Sequence, residues 1–173
     1  MEKSYGREPA RGQREGGRGA MDHTRKIDGR PGTYALLLQL DVEGSIRIGR
    51  RQLLPLTPGW ALYVGSAFGP GGMAGRLRHH RRLAARPYWH IDYLRRHAAL
   101  EAVWYSYDPI HRECLWAETA RALGGQAPPF RFGASDCRCG AHLSFFELRP
   151  ALAGFVAALR SRTPDHVEVI ESH

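Results

Sequence analysis

Two apolar segments, each carrying a tyrosine, restrict the fold of this chain more than any other feature. The first begins at Gly32-Thr33-Tyr34 and continues as an apolar run to residue 40; the second, residues 60–65, contains Tyr63-Val64-Gly65. Both runs are bounded by turn-forming residues, which is typical of buried strands. A glycine-rich turn at 69–72 and an Arg/His-rich helix follow the second run directly. Two phenols next to an arginine cluster suggest a site that handles a phosphodiester.

The remaining pattern predicts an α/β fold of the α+β type, with a small central antiparallel sheet of three or more strands flanked by helices. Residues 45–49 alternate and are expected to pair back as a hairpin, with 54–58 crossing over. Helices are expected at 73–85, 89–99, 111–123 and 151–160, and further strands at 101–107 and 142–148. The chain then divides into a disordered basic tail (1–30), one domain (31–150), and a C-terminal helix with a frayed tail (151–173).

The charge balance favours a polyanionic partner. The formal net charge is +8 and the pI is about 9.9, and each phosphate that such a chain neutralises releases counterions. Of the 25 basic residues 23 are arginine, a skew that a G+C-rich genome would also produce. No apolar run approaches the roughly 18–20 residues of a membrane span. The charged, glycine-rich N-terminus lacks the apolar core of a signal peptide, so a cytoplasmic location without membrane contact is expected.

An unbalanced basic cluster lies in the predicted helix at 73–85 and just after it. Like charges at i,i+4 destabilise a helix, and phosphate is the ligand that would offset this, because guanidinium matches phosphate oxygens and stays charged. A solvated helix face is the alternative. Gly69-x-Gly71-x-x-Ala74 formally fits a dinucleotide motif, but Asp92 lies in a helical pattern and not after a second strand. The predicted nucleic-acid contacts are Arg78, Arg81, Arg82 and Arg86.

A third predicted helix supplies acids for a metal. Glu118 lies in sequence among Leu115, Trp116, Ala117 and Ala120, and a carboxylate in apolar surroundings needs a partner. Glu113, near the helix start, is explained by the helix dipole alone. Mg²⁺ is commonly held by one or two carboxylates with water and substrate phosphate.

Three cysteines, an odd number, argue against a disulfide scaffold. Cys137-Arg138-Cys139 is a C-x-C pair that, with His142 and Cys114, could form a four-ligand zinc site. Buried or turn-packed free thiols are the favoured interpretation, and structural zinc is not expected.

Four segments in order resemble the GIY-YIG nuclease superfamily, and more specifically the Uri superfamily of endonucleases. They begin at Tyr63 (Tyr-Val-Gly-Ser-Ala-Phe-Gly-Pro-Gly-Gly), Trp89 (Trp-His-Ile-Asp-Tyr-Leu), Glu113 (Glu-Cys-Leu-Trp-Ala-Glu) and Ser135 (Ser-Asp-Cys-Arg-Cys-Gly-Ala-His). The resemblance spans roughly residues 32–148. It implies a small antiparallel sheet with flanking helices and hydrolysis of nucleic-acid phosphodiesters that depends on Mg²⁺ or Mn²⁺, with DNA favoured over RNA.

The resemblance also assigns roles residue by residue. Tyr34 and Tyr63 correspond to the two motif tyrosines, and Glu118 to the metal-binding glutamate. The other catalytic positions implied are Arg76, His80 and His90. The sequence departs from the family in two places: Thr33 replaces the usual isoleucine, and the gap between the tyrosine motifs is longer, consistent with an added hairpin around 45–49.

In the mechanism that these roles suggest, Tyr63 activates the nucleophile as a phenolate or through a water, while Arg76 stabilises charge. Because a free phenol has a pKa of about 10, the metal and Arg76 would have to lower it. Two other functions remain open. One is a non-catalytic nucleic-acid-binding module on the same fold, and the other is a zinc-stabilised partner-binding domain built on Cys137, Cys139 and His142.

Overall fold

The structure, a computed structural model, describes residues 26–173 of the chain. Within this range a five-stranded antiparallel sheet, ordered β6-β4-β1-β5-β7, is flanked by four helices, and β2 and β3 form a separate two-stranded sheet. The predicted α+β class with a central antiparallel sheet is confirmed. The strands are β1 (Thr33–Leu40), β2 (Gly44–Ile48), β3 (Gln52–Leu56), β4 (Gly59–Ser66), β5 (Ala99–Ser106), β6 (Leu143–Phe146) and β7 (Ile170–Ser172). The helices are α1 (Gly72–His80), α2 (His90–Leu94), α3 (Glu113–Ala122) and α4 (Leu152–Arg162).

Strand β1 is central because its side chains are apolar on both faces of the sheet. It pairs with β4 on one side and with β5 on the other. Tyr34, Leu36 and Leu38 belong to one buried cluster, which also contains Met73 of α1 and Ile91 of α2. The alternate residues of β1 belong to a second cluster on the opposite face, where α3 and α4 pack. This alternation with a period of two directs every second residue of β1 towards α1 and α2.

The predicted hairpin partner is wrong. Residues 45–49 were expected to pair back, with 54–58 crossing over, whereas β2 pairs with β3 through contacts such as Ile46 with Leu54. Alternation shows which face of a strand is buried, but it does not specify which strand lies beside it. The added hairpin between the tyrosine segments is therefore a small sheet of its own.

Two predicted helices end earlier than expected. Helix α1 ends at His80 and not at residue 85, and the His80 carbonyl accepts hydrogen bonds from the Arg95 guanidinium at 3.3 Å. Helix α2 ends at Leu94 and not at residue 99, since Arg95 Nη1 also donates to the Ala98 carbonyl at 2.7 Å. The same arginine thus bridges both helix ends and turns the chain into β5.

Both ends of the predicted domain need correction. The region from residue 163 was expected to fray, but β7 forms an edge of the sheet beside β5, with Tyr105 opposite Ile170. The predicted tail lies outside the described residues up to residue 25. Its last residues are ordered, because the Asp28 and Arg30 carbonyls accept the amide hydrogens of Ala74 and Met73 at 2.8 and 3.0 Å. None of the helices in the described range is long and apolar enough to cross a membrane.

Candidate active site

A cavity of about 820 Å³ opens on the face of the sheet that carries α1 and α2, next to strands β1 and β4. Its size falls within the range of small-molecule and cofactor pockets. Five of the six residues to which the sequence assigned catalysis or metal binding line it. They are Tyr34, Tyr63, Arg76, His80 and His90.

The two tyrosines share a face because of the strand register. Tyr34 lies opposite Gly65, and Tyr63 lies opposite Leu36, so the tyrosines are diagonal neighbours on one side of the sheet. The Tyr34 ring crosses directly over Gly65, where any Cβ would overlap the hydroxyl end of the ring. The glycine of the second segment therefore makes room for the tyrosine of the first.

Tyr34 and His80 form a buried hydrogen-bonded pair. The Tyr34 hydroxyl lies 2.7 Å from His80 Nε2, and the two residues are 3% and 2% exposed. Burial, followed by the nearby His79, lowers the pKa of His80 to about 3, so the imidazole is neutral at physiological pH. Burial also raises the pKa of Tyr34, as does the neighbouring Tyr63. Both members are therefore uncharged, and His80 Nδ1 has no hydrogen-bond partner within residues 26–173.

Tyr63 lies at the wall of the cavity with its ring edge-on to two others. Its centroid is 6.4 Å from that of His80 and 6.0 Å from that of Phe132. Burial raises the pKa of Tyr63, and the negative charges of Glu113 and Asp92 raise it further, while Arg76 opposes them. A phenolate at this position would therefore need additional positive charge.

Arg76 points from α1 into the same cavity, one helical turn before His80. Its guanidinium carbon lies 4.9 Å from the centre of the Trp89 ring, a cation–π arrangement that fixes the side chain. Gly69 lies so close that a side chain there would come within 3.0 Å of Arg76 Nη2. Arg76 Nε is buried without a hydrogen-bond partner in the described part of the chain, which leaves this cation suited to an incoming anion.

His90, the first residue of α2, reaches the cavity from the opposite side. Its Nδ1 accepts the Gly133 amide hydrogen at 3.2 Å. Burial lowers its pKa, so a neutral ring carries its proton on Nε2. The Nε2–H group is thus the side of the ring that can donate a hydrogen bond.

One protein family matches the part of the chain that forms nearly all of this fold. The family described as "Domain of unknown function DUF123" matches residues 33–163. The chain belongs to this family. No curated protein and no solved structure matches it. The matched range begins at β1 and ends just after α4, so it contains every residue of the cavity wall described above.

The acid that helix α3 of this DUF123 chain places at the cavity is Glu113, and the prediction that Glu118 joins the tyrosines is wrong. Glu118 is 53% exposed and pairs with Arg162 Nη1 at 3.7 Å on α4. Glu113, in the first turn of α3, lines the cavity. Five helical residues rotate the side-chain direction by roughly 140° beyond a full turn, so the two acids point to different sides.

The sequence contained a signal for Glu113 in the buried face of α3. Trp116, Ala117 and Ala120 are buried, and Glu113 precedes Trp116 by three residues and Ala117 by four. It therefore continues the i, i+3, i+4, i+7 stripe towards the helix start. Glu118 is beside these residues in sequence but leaves the stripe.

The predicted nucleic-acid contacts lie on the exterior of the DUF123 domain. Arg78, Arg81, Arg82 and Arg86 are all exposed and do not line the cavity. Arg81 donates to Ser172 Oγ at 3.2 Å on β7. These side chains follow Arg76 on α1 and the segment after it, so the basic surface extends away from the cavity.

Sequence reasoning missed the aromatic residues at the rim. Tyr88 is 83% exposed and lines the cavity. Phe68 and His111 are stacked there with ring centroids 3.7 Å apart.

Asp92 of α2 has hydrogen-bond partners on both sides. It accepts hydrogen bonds from His79 Nε2 at 2.8 Å and from the Tyr88 and Trp89 amides at 3.0 Å. It therefore fixes the start of α2.

The structure also brings together the four residues considered for zinc, and this group could hold a metal ion. Ligand atoms of Cys114, Cys137, Cys139 and His142 all lie within 4.8 Å of one another. The sulfurs of Cys114 and Cys139 are in disulfide contact, with Cα atoms 6.2 Å apart, and Cys137 is a free thiol. The expectation of buried or turn-packed free thiols is therefore wrong for Cys114 and Cys139, and it holds for the free thiol of Cys137.

Proposed function

We propose that the protein is a divalent-metal-dependent endonuclease of the GIY-YIG type that hydrolyses phosphodiester bonds, with DNA favoured over RNA. One observation supports this more than any other: Tyr34, Tyr63, Arg76, His90 and Glu113 line a single cavity. Phosphodiester hydrolysis needs a cationic clamp, a positioned water and stabilisation of the leaving group. A guanidinium, a carboxylate that can hold a metal, two phenols and an imidazole are groups that can supply these functions.

The donor set fits Mg²⁺ or Mn²⁺. Glu113 offers a carboxylate, and Asp136 is a second acid on the cavity wall. Hard divalent cations take oxygen ligands and are often held by one or two carboxylates, with water and substrate phosphate completing the shell. When bound, such a cation supplies Lewis-acid polarisation of the phosphate and lowers the pKa of a bound water.

Arg76 is proposed to bind the scissile phosphate. A guanidinium is a cation whose planar fork of donors matches phosphate oxygens. The same group stabilises the charge that develops as water attacks phosphorus, a contribution on the order of 3–4 kcal/mol for preorganised donors.

Tyr63 is proposed to act through its hydroxyl and to keep its proton. Burial and Glu113 raise its pKa, which disfavours the phenolate. The water-mediated role is therefore the better supported one, with the hydroxyl orienting the attacking water. Tyr34 holds the neighbouring position through its 2.7 Å bond to neutral His80.

His90 is proposed to serve the leaving group. As the bond between the attacking water and phosphorus forms, the bond from phosphorus to the leaving oxygen breaks; the water releases a proton to solvent, and the leaving oxygen takes one up from solvent. The neutral ring carries its proton on Nε2, because Nδ1 accepts from Gly133. This ring stays neutral and cannot release that proton without becoming an imidazolate, so the role proposed for His90 is to donate a hydrogen bond from Nε2 to the leaving oxygen and stabilise its developing charge.

The decisive test is a cleavage screen with Mg²⁺ or Mn²⁺ on single-stranded, duplex, flap and junction substrates. Glu113→Gln and Arg76→Ala should each lower cleavage by at least about 100-fold, with unchanged circular dichroism. Glu118→Gln is the matched control, because it removes a carboxylate from the same helix outside the cavity, and it should cleave like the parent. Parental cleavage by Glu113→Gln, or loss of cleavage in Glu118→Gln, would contradict the assignment.

A non-catalytic nucleic-acid-binding module is the second candidate. The four exposed arginines and the 83% exposed Tyr88 support binding whether or not the cavity is catalytic, since arginines contact phosphates and aromatic rings stack on bases. Binding that is indifferent to Mg²⁺, with no nicking of any substrate, would favour this alternative.

A further inference from the structure

The cluster of three cysteines and one histidine beside the cavity has the geometry of a soft-metal site. Cys114 lies in the first turn of α3, whereas Cys137, Cys139 and His142 come from the segment that leads into β6. The ligand atoms lie within 4.8 Å of one another. In a tetrahedral site with zinc–sulfur distances of about 2.3 Å, neighbouring sulfurs are separated by roughly 4 Å. A point close to all four ligand atoms therefore exists.

A disulfide accounts for only half of this arrangement. A bond between Cys114 and Cys139 would use two sulfurs, but it would not require Cys137 Sγ to lie 3.3 Å from His142 Nε2. His142 is only 5% exposed. A metal would use all four groups, and three thiolates with one imidazole select zinc over Mg²⁺ or Ca²⁺.

The groups around the ligands are arranged as in a metal site. The His142 ring is hydrogen-bonded to the Gly133 backbone, and with Nε2 facing Cys137 this bond falls to Nδ1. Metal-bound histidines commonly use the second ring nitrogen in this way. The Cys139 amide hydrogen points to Cys137 Sγ at 3.4 Å, and amide hydrogens of this kind stabilise metal-bound thiolates.

Arg131 holds the loop in the conformation that presents these thiols. Its guanidinium donates to the carbonyls of Ala134 at 2.8 Å, of Cys139 at 3.3 Å, and of Cys137. The positive charge lies beside a site that three thiolates would make negative. Arg131, which is not one of the four ligands, therefore stabilises the conformation of the loop that carries three of them.

We propose that Cys114, Cys137, Cys139 and His142 bind a structural zinc ion that joins the start of α3 to the loop before β6. This metal differs from the hard cation proposed for the cavity in chemistry and in ligands. It would fix the residue next to Cys114, namely Glu113. It would also fix Gly133, whose amide binds His90 and whose Cα packs under the Tyr63 ring, so that a Cβ there would come within 2.8 Å of Cε2.

The test is metal analysis of the full-length chain purified with reductant and dialysed against metal-free buffer. About one zinc per chain is expected. Replacement by Co²⁺ should give the intense thiolate-to-cobalt charge-transfer band of a tetrahedral sulfur-rich site. Cys137→Ser and His142→Asn should each lose the tight metal. Arg138→Ala, which changes the residue between the two cysteines and leaves all ligands, should retain it.

Several results would overturn the proposal: a reduced chain that holds no zinc after supplementation, ligand variants that bind zinc like the parent, or a Cys114–Cys139 disulfide that persists in reductant with zinc. If a ligand variant does not fold, the Co²⁺ spectrum of the parent and protection of its thiols from alkylation by zinc still decide the matter. None of these readouts depends on cleavage, so the zinc site and the nuclease proposal can fail separately.

Discussion

Gly65 is the position at which a single methyl group should disturb the site most. In Gly65→Ala the new Cβ would overlap the hydroxyl end of Tyr34 and lie 2.9 Å from its Cε2. The ring would have to move, and overpacking of this kind costs about 1–3 kcal/mol. Movement also breaks the 2.7 Å bond to His80, and a buried polar group left without its partner costs about 1–3 kcal/mol. The sum is a loss of about 2–6 kcal/mol from a total stability typically near 5–15 kcal/mol.

Urea denaturation followed by circular dichroism measures this loss. With a slope of about 2 kcal/mol per molar urea, the midpoint should fall by about 1–3 M. Gly154→Ala is the matched control, because Gly154 is an exposed residue of α4 with nothing within 4 Å of a Cβ. There the same methyl group should raise stability by about 0.5–1 kcal/mol, since glycine is a poor helix former.

The Tyr34→Ala background tests the cause. If the clash with the ring is responsible, Gly65→Ala should cost less than about 1 kcal/mol once the ring is absent. A neutral Gly65→Ala, or an equal cost in both backgrounds, would refute the reasoning.

Two further predictions concern stability. Because burial lowers the pKa of His80 to about 3 from a usual value near 6.5, the unfolded chain binds the extra proton, so stability should fall as pH drops from about 6.5 towards 3. His80→Gln should flatten this dependence by up to about 1.4 kcal/mol per pH unit in urea titrations, and an unchanged slope would contradict the buried neutral imidazole. Trp104 Nε1 donates to Glu171 Oε1 at 2.9 Å, so Glu171→Ala should lower the free energy of unfolding by about 1–3 kcal/mol. Glu171→Gln, which keeps an acceptor, should lose less than half of that amount.

The central strands could be predicted from the sequence because they are buried on both faces. The expected strand at 33–40 matches β1, and the run at 60–65 lies within β4. The short edge strand β7 was missed, because three residues that include Glu171 carry no hydrophobic period. Its place depends on tertiary contacts, such as the Glu171 carboxylate under Trp104, which no local pattern encodes.

The sequence predicts a site residue correctly where a strand or a strong motif determines the direction of its side chain. Tyr34, Tyr63 and Arg76 reach one cavity as expected. The error at α3 arose because apolar neighbours in sequence were taken for apolar surroundings in space, and the phase of the helix decides between Glu113 and Glu118. The rim aromatics and the loop at 131–142 could not be located, since their positions depend on how separate elements pack.

The parts of the cavity wall differ in how many hydrogen bonds hold them to the sheet, and this difference predicts the order in which they unfold locally. Tyr34 stands on a strand paired along both edges, whereas His90 begins a helix of five residues. The loop that carries Gly133 belongs to no strand and is tied to the sheet region at isolated points, such as the Gln126–Phe145 bridge and the hydrogen bond from the His142 amide to the Phe132 carbonyl at 2.8 Å. Local opening begins in segments with few such ties. Amide hydrogens of β1 should therefore be among the last to exchange with solvent, and the cavity should lose its outer wall while the sheet beneath it is still intact.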